Sequence, residues 1–283
     1  MSTFRTLPAK SVLLGAWSLS VVFFLLLPIV TVLVYSFNTG NYLIAWKATG
    51  WRWYWRILED GNILATLRTS LTVAVLSTLL SLVVGGMSGL ILGRRPAVIA
   101  YPLSLLLLTI ISFPEIVKAV AYLTWFVKID LQIGILRIAI SHALFGSAIV
   151  AFIVRARLSG MDGRIEEASA DLGATPTVTF FTVTLPLLMP AFLVGGLLAF
   201  TLSFDDVIVS LFVGTANSTT LPVYILASVR QGLKGDIAAV SAVMFCLTIL
   251  AFTCAGIYLA RTGASRRDTV LMLAGQNDAH AGQ

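Results

Sequence analysis

Six stretches of the chain are apolar over the ~20 residues that a helix needs to cross the hydrocarbon layer of a bilayer. They lie near 11–36, 69–93, 97–122, 137–154, 187–212 and 237–260. No charge occurs between Leu172 and Phe204, but Pro176, Pro186 and Pro190 punctuate that run, so its first half reads as a surface segment feeding the fifth span. Residues 207–229 are also uncharged. The polar stretch Gly214-Thr215-Ala216-Asn217-Ser218-Thr219-Thr220 breaks them and argues against a seventh span. The pattern predicts an all-α, polytopic membrane protein with six transmembrane helices over 11–262, short tails at 1–10 and 263–283, and a long loop at 155–186.

Composition fits that pattern. Apolar residues make up 58% of the chain and charged residues 11%, against about a quarter charged in soluble domains. A soluble core of this length could not hide so much apolar side chain. The formal charge of +6 comes from 19 Lys and Arg against 13 Asp and Glu. These cations cluster at the ends of apolar runs, which suits lipid headgroups and excludes a nucleic-acid stripe. Six spans put both termini on one side, together with Arg5, Lys10, Arg94, Arg95, Arg155, Arg157, Arg164, Arg261, Arg266 and Arg267. Their density at span ends marks that side as cytoplasmic. The run from Ser11 to Ser36 is too long for a cleavable signal core and reads as an anchor. Cys246 and Cys254 fall in one apolar run, roughly 12 Å apart along a helix, too far for a disulfide. They read as small core residues.

The first external loop has a pattern of its own. Trp51, Tyr54, Trp55 and Leu58 share one helical face, and Arg52, Arg56, Glu59 and Asp60 the other. This predicts an amphipathic helix at the outer interface, with indole rings at headgroup level. An aromatic anchor is the first reading of it, and docking of a partner protein the second.

The most informative segment is the loop between the fourth and fifth spans, from Met161 to Pro176. Asp162 can cap a helix there, and Glu166 and Glu167 lie early, where the helix dipole favours anions. Gly173 suits the left-handed position past the end, and Pro176 prevents continuation. Ile165, Ala168, Ser169 and Leu172 form one face that suits docking into a groove on another protein.

In this segment the chain resembles the permeases of bacterial binding-protein-dependent ABC importers. Their cytoplasmic signature is Glu-Ala-Ala, three residues, Gly, nine residues, an aliphatic, one residue, then Leu-Pro. This chain reads Glu167-Ala168-Ser169, Gly173, Val183 and Leu185-Pro186 at those spacings. Ser for the second Ala and Val for Ile are conservative departures. Tyr35-Ser36-Phe37-Asn38, Ser112-Phe113-Pro114-Glu115-Ile116-Val117 and Ser203-Phe204-Asp205-Asp206-Val207 look like spermidine/putrescine permeases, in particular the second of their two permease subunits. The resemblance runs from about residue 20 to residue 262 and implies the type I ABC importer permease fold in the bacterial inner membrane. It also implies a homologous second permease subunit, two ATP-binding subunits and a periplasmic solute-binding protein as partners. In that family the segment around Glu167 is the coupling helix, seated in a cleft of the ATPase.

What is missing agrees with this division of labour. The sequence has no Gly-x-x-x-x-Gly-Lys-Ser/Thr phosphate loop and no His-Glu-x-x-His zinc motif. The expectation is no cofactor on this chain and no catalytic residue, with ATP and Mg bound by the partner. Of the two histidines, His142 reads first as a satisfied buried side chain and second as a ligand or proton relay; His280 falls in the polar tail.

Acids within spans usually face a cavity or a partner. Counting along helices from Arg95 and Pro186 puts Glu115 and Asp205 at similar depth, roughly 28–30 Å from the cytoplasmic boundary. Glu115, Asp205 and Asp206 are therefore candidates for a cation path, in which ammonium groups exchange hydration for charge-assisted hydrogen bonds. A second reading stays open: the two aspartates mark a span end, and Lys118 neutralises Glu115 from one turn away. Pro114 and the Gly195-Gly196 pair read as packing or flexibility elements. The resemblance also extends to permeases for other cargoes (an opine, a phosphonate or a ferric ion), and the hydropathy and acids by themselves also fit a secondary transporter without ATPase partners.

Overall fold

A computed structural model describes residues 9–42, 45–230, 232 and 234–261. The chain order is α1 (Ala9–Tyr35), α2 (Arg52–Glu59), α3 (Gly61–Arg94), α4 (Ala97–Ser112), α5 (Glu115–Lys128), α6 (Gly134–Ser159), α7 (Arg164–Asp171), α8 (Pro176–Thr179), a π-helical turn (Phe180–Thr184), α9 (Leu185–Phe204), α10 (Ile208–Val213), a 3₁₀ turn (Ala216–Ser218), α11 (Leu221–Val229) and α12 (Gly235–Arg261). Among the described residues extended pairing is limited to two isolated bridges, Asn38 with Thr49 and Tyr42 with Lys234. Among the described residues five helical runs are long and apolar enough to cross a membrane: Leu13–Tyr35, Gly61–Arg94, Gly134–Ser159, Pro176–Phe204 and Gly235–Arg261. Helices α4 and α5 make a sixth as a bent pair. Of the expected tails at 1–10 and 263–283, residues 1–8 and 263–283, with His280, lie outside the described residues.

Two expected spans differ from the hydropathy pattern. The third is not one helix over 97–122 but two, bent by 106°. Pro114 causes the break: it lacks an N–H and pushes Phe113 into an extended conformation (φ −68°, ψ 139°). The fifth stops at Phe204 and does not run to 212, because the chain turns at Asp205-Asp206 before α10. Upstream, Pro176 to Thr184 is no separate surface segment but a helical run that continues into α9. The π turn sits where Pro186 would clash with the carbonyl four residues back, and widening the helix there relieves the conflict. Residues 207–229 form only short helices, as their polar break implies.

The chain divides into two compact units, Met1–Leu64 with Ile225–Cys246, and Ala65–Tyr224 with Leu247–Gln283. In the second unit α6 and α9 are the central pair, closed by Val150, Val154, Leu188 and Ala199. Helices α3 and α4 pack on α6 through Leu92, Leu107, Ala148 and Ala151, and α5 packs on α10 through Ala119, Phe126, Val209 and Val213. Helix α3 approaches α6 along Ser81, Gly85, Gly89 and Gly93, small residues at every fourth position. A Cβ on Gly85 would lie 2.5 Å from the Ser147 carbonyl oxygen, and one on Gly89 2.7 Å from that of Ala151. Without a hydrophobic driving force in lipid, such close approach supplies the association through dispersion and backbone contacts. Gly195 and Gly196 serve the same end, each 3.3 Å from Val150 or Leu82 by the same measure.

In the first unit α1 leaves its apolar side chains from Leu13 onward exposed, as a lipid-facing helix does. After it, Asn38 organises the loop. Its Oδ1 accepts the Gly40 and Lys47 N–H groups (3.1 and 2.9 Å), its Nδ2 donates to the Ala45 carbonyl (2.9 Å), and its own carbonyl accepts the Trp53 indole N–H (2.8 Å). The amphipathic α2 forms where expected. Trp53 and Ile57 are buried, whereas Trp51, Trp55 and Leu58 are exposed. Trp53 hides between positively charged neighbours because Arg52 and Arg56 lay their guanidinium groups over its ring. The exposed indoles match an interfacial anchor. Cys246 and Cys254 are both exposed on α12, so they are not core residues.

Candidate functional site: an acidic membrane cavity and a cytoplasmic docking helix

A cavity of about 360 Å³ opens between α4, α5, α6, α9 and α10. Its polar lining is Glu115, Lys118, Ser141, His142, Ser203 and Asp206; Tyr122, Phe145 and Leu202 contribute apolar wall. Glu115 enters because α5 restarts directly after Pro114 and places it in the first turn, where an anion complements the helix dipole. Asp206 enters because α9 ends two residues earlier, and its Oδ1 accepts the Ser210 N–H (2.8 Å) at the start of α10. Both carboxyls line this one cavity. No straight helix connects Arg95 to Glu115, so the depth counted along one helix from Arg95 does not apply to Glu115.

His142 stands on the α6 wall. Its Nε2 lies 3.0 Å from Asp206 Oδ1, and its Nδ1 lies 2.7 Å from Ser203 Oγ, which accepts from Ser77 Oγ at 2.8 Å. The histidine is buried and satisfied, as expected, and its partner is one of the candidate acids. Lys118 does not close an ion pair with Glu115. It donates to the Ile110 carbonyl (3.3 Å) and sits 4.3 Å over the Phe145 ring. Asp205 does not join the cavity; it is exposed at the C-cap of α9. The three candidate acids thus separate into a converging pair and an outlier.

At the other site, α7 begins where Asp162 accepts the Arg164 N–H (3.0 Å). It ends in a Schellman motif: the Gly173 N–H donates to the Ala170 carbonyl (2.8 Å) and the Ala174 N–H to the Ser169 carbonyl (3.1 Å), with Gly173 at φ +86°. Both expected caps are present. Ile165, Glu167, Ala168 and Leu172 are exposed, Leu172 by 90%. Ser169 faces inward and shares a hydrogen bond with Thr179 (3.0 Å). Val183 lies in the π turn, and Leu185-Pro186 open α9. The two halves of the spaced pattern therefore meet as one substructure.

The tie that holds this substructure was not foreseen. Glu166 pairs with Arg94 at the end of α3 and accepts from the fully buried hydroxyl of Thr184. Glu166 and Arg94 were legible only as a helix-dipole acid and a span-end cation. Their pairing joins positions 72 residues apart, which no local pattern reports. The Ser81 to Gly93 stripe, in contrast, has a readable four-residue period.

Residues 81–264 match the family of binding-protein-dependent transport system inner membrane components. The chain belongs to this family. It is accordingly a multi-pass protein of the inner membrane and a permease-type transport subunit. Over 227 residues it is 34% identical to the putrescine transport system permease protein PotI of Escherichia coli (strain K12), spanning 77% of this chain and 80% of that protein. Over 226 residues it is 32% identical to the spermidine/putrescine transport system permease protein PotC of Haemophilus influenzae, spanning 80% of this chain and 88% of that one. Among solved structures, a chain of a bacterial alginate ABC transporter in complex with an alginate pentasaccharide-bound periplasmic protein superposes with a TM-score of 0.69. The superposition spans 89% of this chain and 96% of that one at 15% identity, a likeness of fold.

Proposed function

We propose that this family member imports a polyamine, as one of two permease subunits whose movement is driven by ATP hydrolysis on two separate ATP-binding subunits. The observation that carries the cargo class is the convergence of Glu115 and Asp206 in a membrane cavity, with Lys118 turned to a carbonyl and a ring. Two carboxyls without a cation between them favour an ammonium cargo and oppose a phosphonate. The names of the putrescine and spermidine relatives support the same reading. The cargo arrives from a periplasmic solute-binding protein. Glu115 and Asp206 exchange its hydration for charge-assisted hydrogen bonds, while Asp205 is a span-end charge.

The partner assignment rests on α7. Its exposed Ile165, Ala168 and Leu172, next to Glu167, fit a groove on the ATP-binding subunit. Ser169, Gly173, Leu185 and Pro186 keep that surface attached to α9. Closure of the ATPase pulls α7, and with it the spans. Nucleotide and Mg belong to that partner, in keeping with a sequence that lacks a phosphate loop. Both termini are cytoplasmic, on the side where Arg94, Arg95, Arg155, Arg157, Arg164 and Arg261 crowd the helix ends.

The test is uptake of radiolabelled putrescine by proteoliposomes holding the full transporter, challenged with spermidine, amino acids and phosphonates. Competition by spermidine alone is expected. Competition by a phosphonate or an amino acid, or no putrescine uptake, overturns the cargo.

A further inference from the structure

We propose that His142 is a positioning residue for cargo: it holds one oxygen of Asp206 so that the other stays available to an ammonium shared with Glu115. This rests on the reading of the cavity as a cation path. Two donors converge on Asp206 Oδ1, the His142 Nε2–H at 3.0 Å and the Ser210 N–H at 2.8 Å. Neither bond uses Oδ2. Donors from two different helices fix the carboxylate plane, because rotation would break both at once. The histidine is fixed in turn. With Nε2–H pointing to the acid, Nδ1 accepts from Ser203, which accepts from Ser77. The chain of bonds thus begins on α3, passes through α9 and α6, and ends at the mouth of α10.

Burial makes this arrangement rigid. The His142 and Asp206 side chains are 5% and 7% exposed, so a broken bond leaves a polar atom without water. His142 lines the cavity, yet both ring nitrogens are engaged, and it acts on cargo through Asp206. Glu115 arrives from the opposite helix, α5, at the exposed side. Lys118 is the cation nearest in sequence, and its ammonium is held by the Ile110 carbonyl and the Phe145 face. Glu115 and Asp206 line the same cavity, so an amine delivered from outside meets both carboxyls there.

The experiment uses the assembled transporter in nanodiscs, titrated with radiolabelled putrescine without the solute-binding protein. His142→Ala should weaken binding about tenfold, as loss of one hydrogen bond to a charged group does. His142→Gln, whose amide nitrogen reaches the Nε2 position, should bind within about threefold of the unsubstituted transporter. Ser203→Ala, which frees the ring to turn, should weaken binding about threefold. Wild-type affinity in His142→Ala, or a Gln variant as weak as the Ala variant, overturns the positioning role. If His142→Ala does not assemble, Ser203→Ala decides, and unchanged affinity there overturns it. Asp206→Asn separates the two levels. Loss of binding in Asp206→Asn with normal binding in His142→Ala removes the positioning role alone. Normal binding in Asp206→Asn, or no saturable binding by the unsubstituted transporter, removes the cation path and the positioning role with it.

Discussion

Glu166 and Asp206 are both acids held by a basic side chain and a serine or threonine group, and they are put to opposite uses. Glu166 meets a guanidinium, Arg94, and the Thr184 hydroxyl, so its charge is closed within the protein. Asp206 meets an imidazole and a backbone N–H on one oxygen, and faces a second carboxyl. A closed charge fastens one element to another. An open pair of acids within a membrane invites a cation, because a charge there is costly until it is matched. Solvent sharpens the contrast. Glu166 and Arg94 are 30% and 40% exposed, which limits their pair to a modest, screened contribution. Asp206 is nearly dry.

Substitutions should separate the two uses. The largest effect is expected from Asp206→Asn, which removes a near-buried charge and should lower putrescine uptake by about 100-fold while leaving co-purification with the ATP-binding subunit intact. Gly173→Val comes next. A β-branched residue at φ +86° costs about 1–2 kcal/mol and unravels the end of α7. Uptake should fall by about 30-fold while ATP hydrolysis continues without cargo stimulation, measured side by side in proteoliposomes. Arg94→Glu or Glu166→Arg alone should reduce uptake about fivefold, and the double exchange should restore it to within about twofold, because the pair needs only opposite charges. Restoration is not expected for an exchange of His142 with Asp206, whose geometry is directional. A double exchange that stays defective at Arg94 and Glu166 would remove the fastening role. The smallest effect belongs to Asp205→Asn, within about twofold of wild type, since a solvent-facing charge contributes little. A large loss there would return Asp205 to the cargo path.

Much of the fold is legible in the chain because lipid imposes so simple a rule: apolar runs of sufficient length cross it. The caps of α7 were equally plain, since Asp162 and Gly173 act on their own neighbours. The bend at Pro114 was visible as a proline, but not its 106° angle, which depends on how α5 packs against α10. On α2 the exposed aromatic side was legible, and the burial of Trp53 was not. Spacing reports that two faces differ; whether Trp53 or Trp55 is buried depends on Asn38 and the loop it organises. At the sites, residue type revealed Glu115 and Asp206 as candidates, and the exclusion of Asp205 awaited the turn after Phe204. Partners from distant helices, such as Ser77 with Ser203 or Arg94 with Glu166, left no local trace.

The π turn at Phe180–Thr184 gives the fixed spacing of the cytoplasmic signature a geometric meaning. A helix turns about 100° per residue, and a π turn absorbs one residue more than an α turn. Thr184 reaches Glu166 only in the phase that this extra residue sets. Because the turn absorbs that residue, the later side chains of α9 keep the phase of an unbroken helix, His142's partner Ser203 included, whereas a deletion in the regular helix beyond it would swing them by about 100°. The count of nine residues between Gly173 and Val183 thus behaves as a gear ratio between the docking helix and the cavity wall.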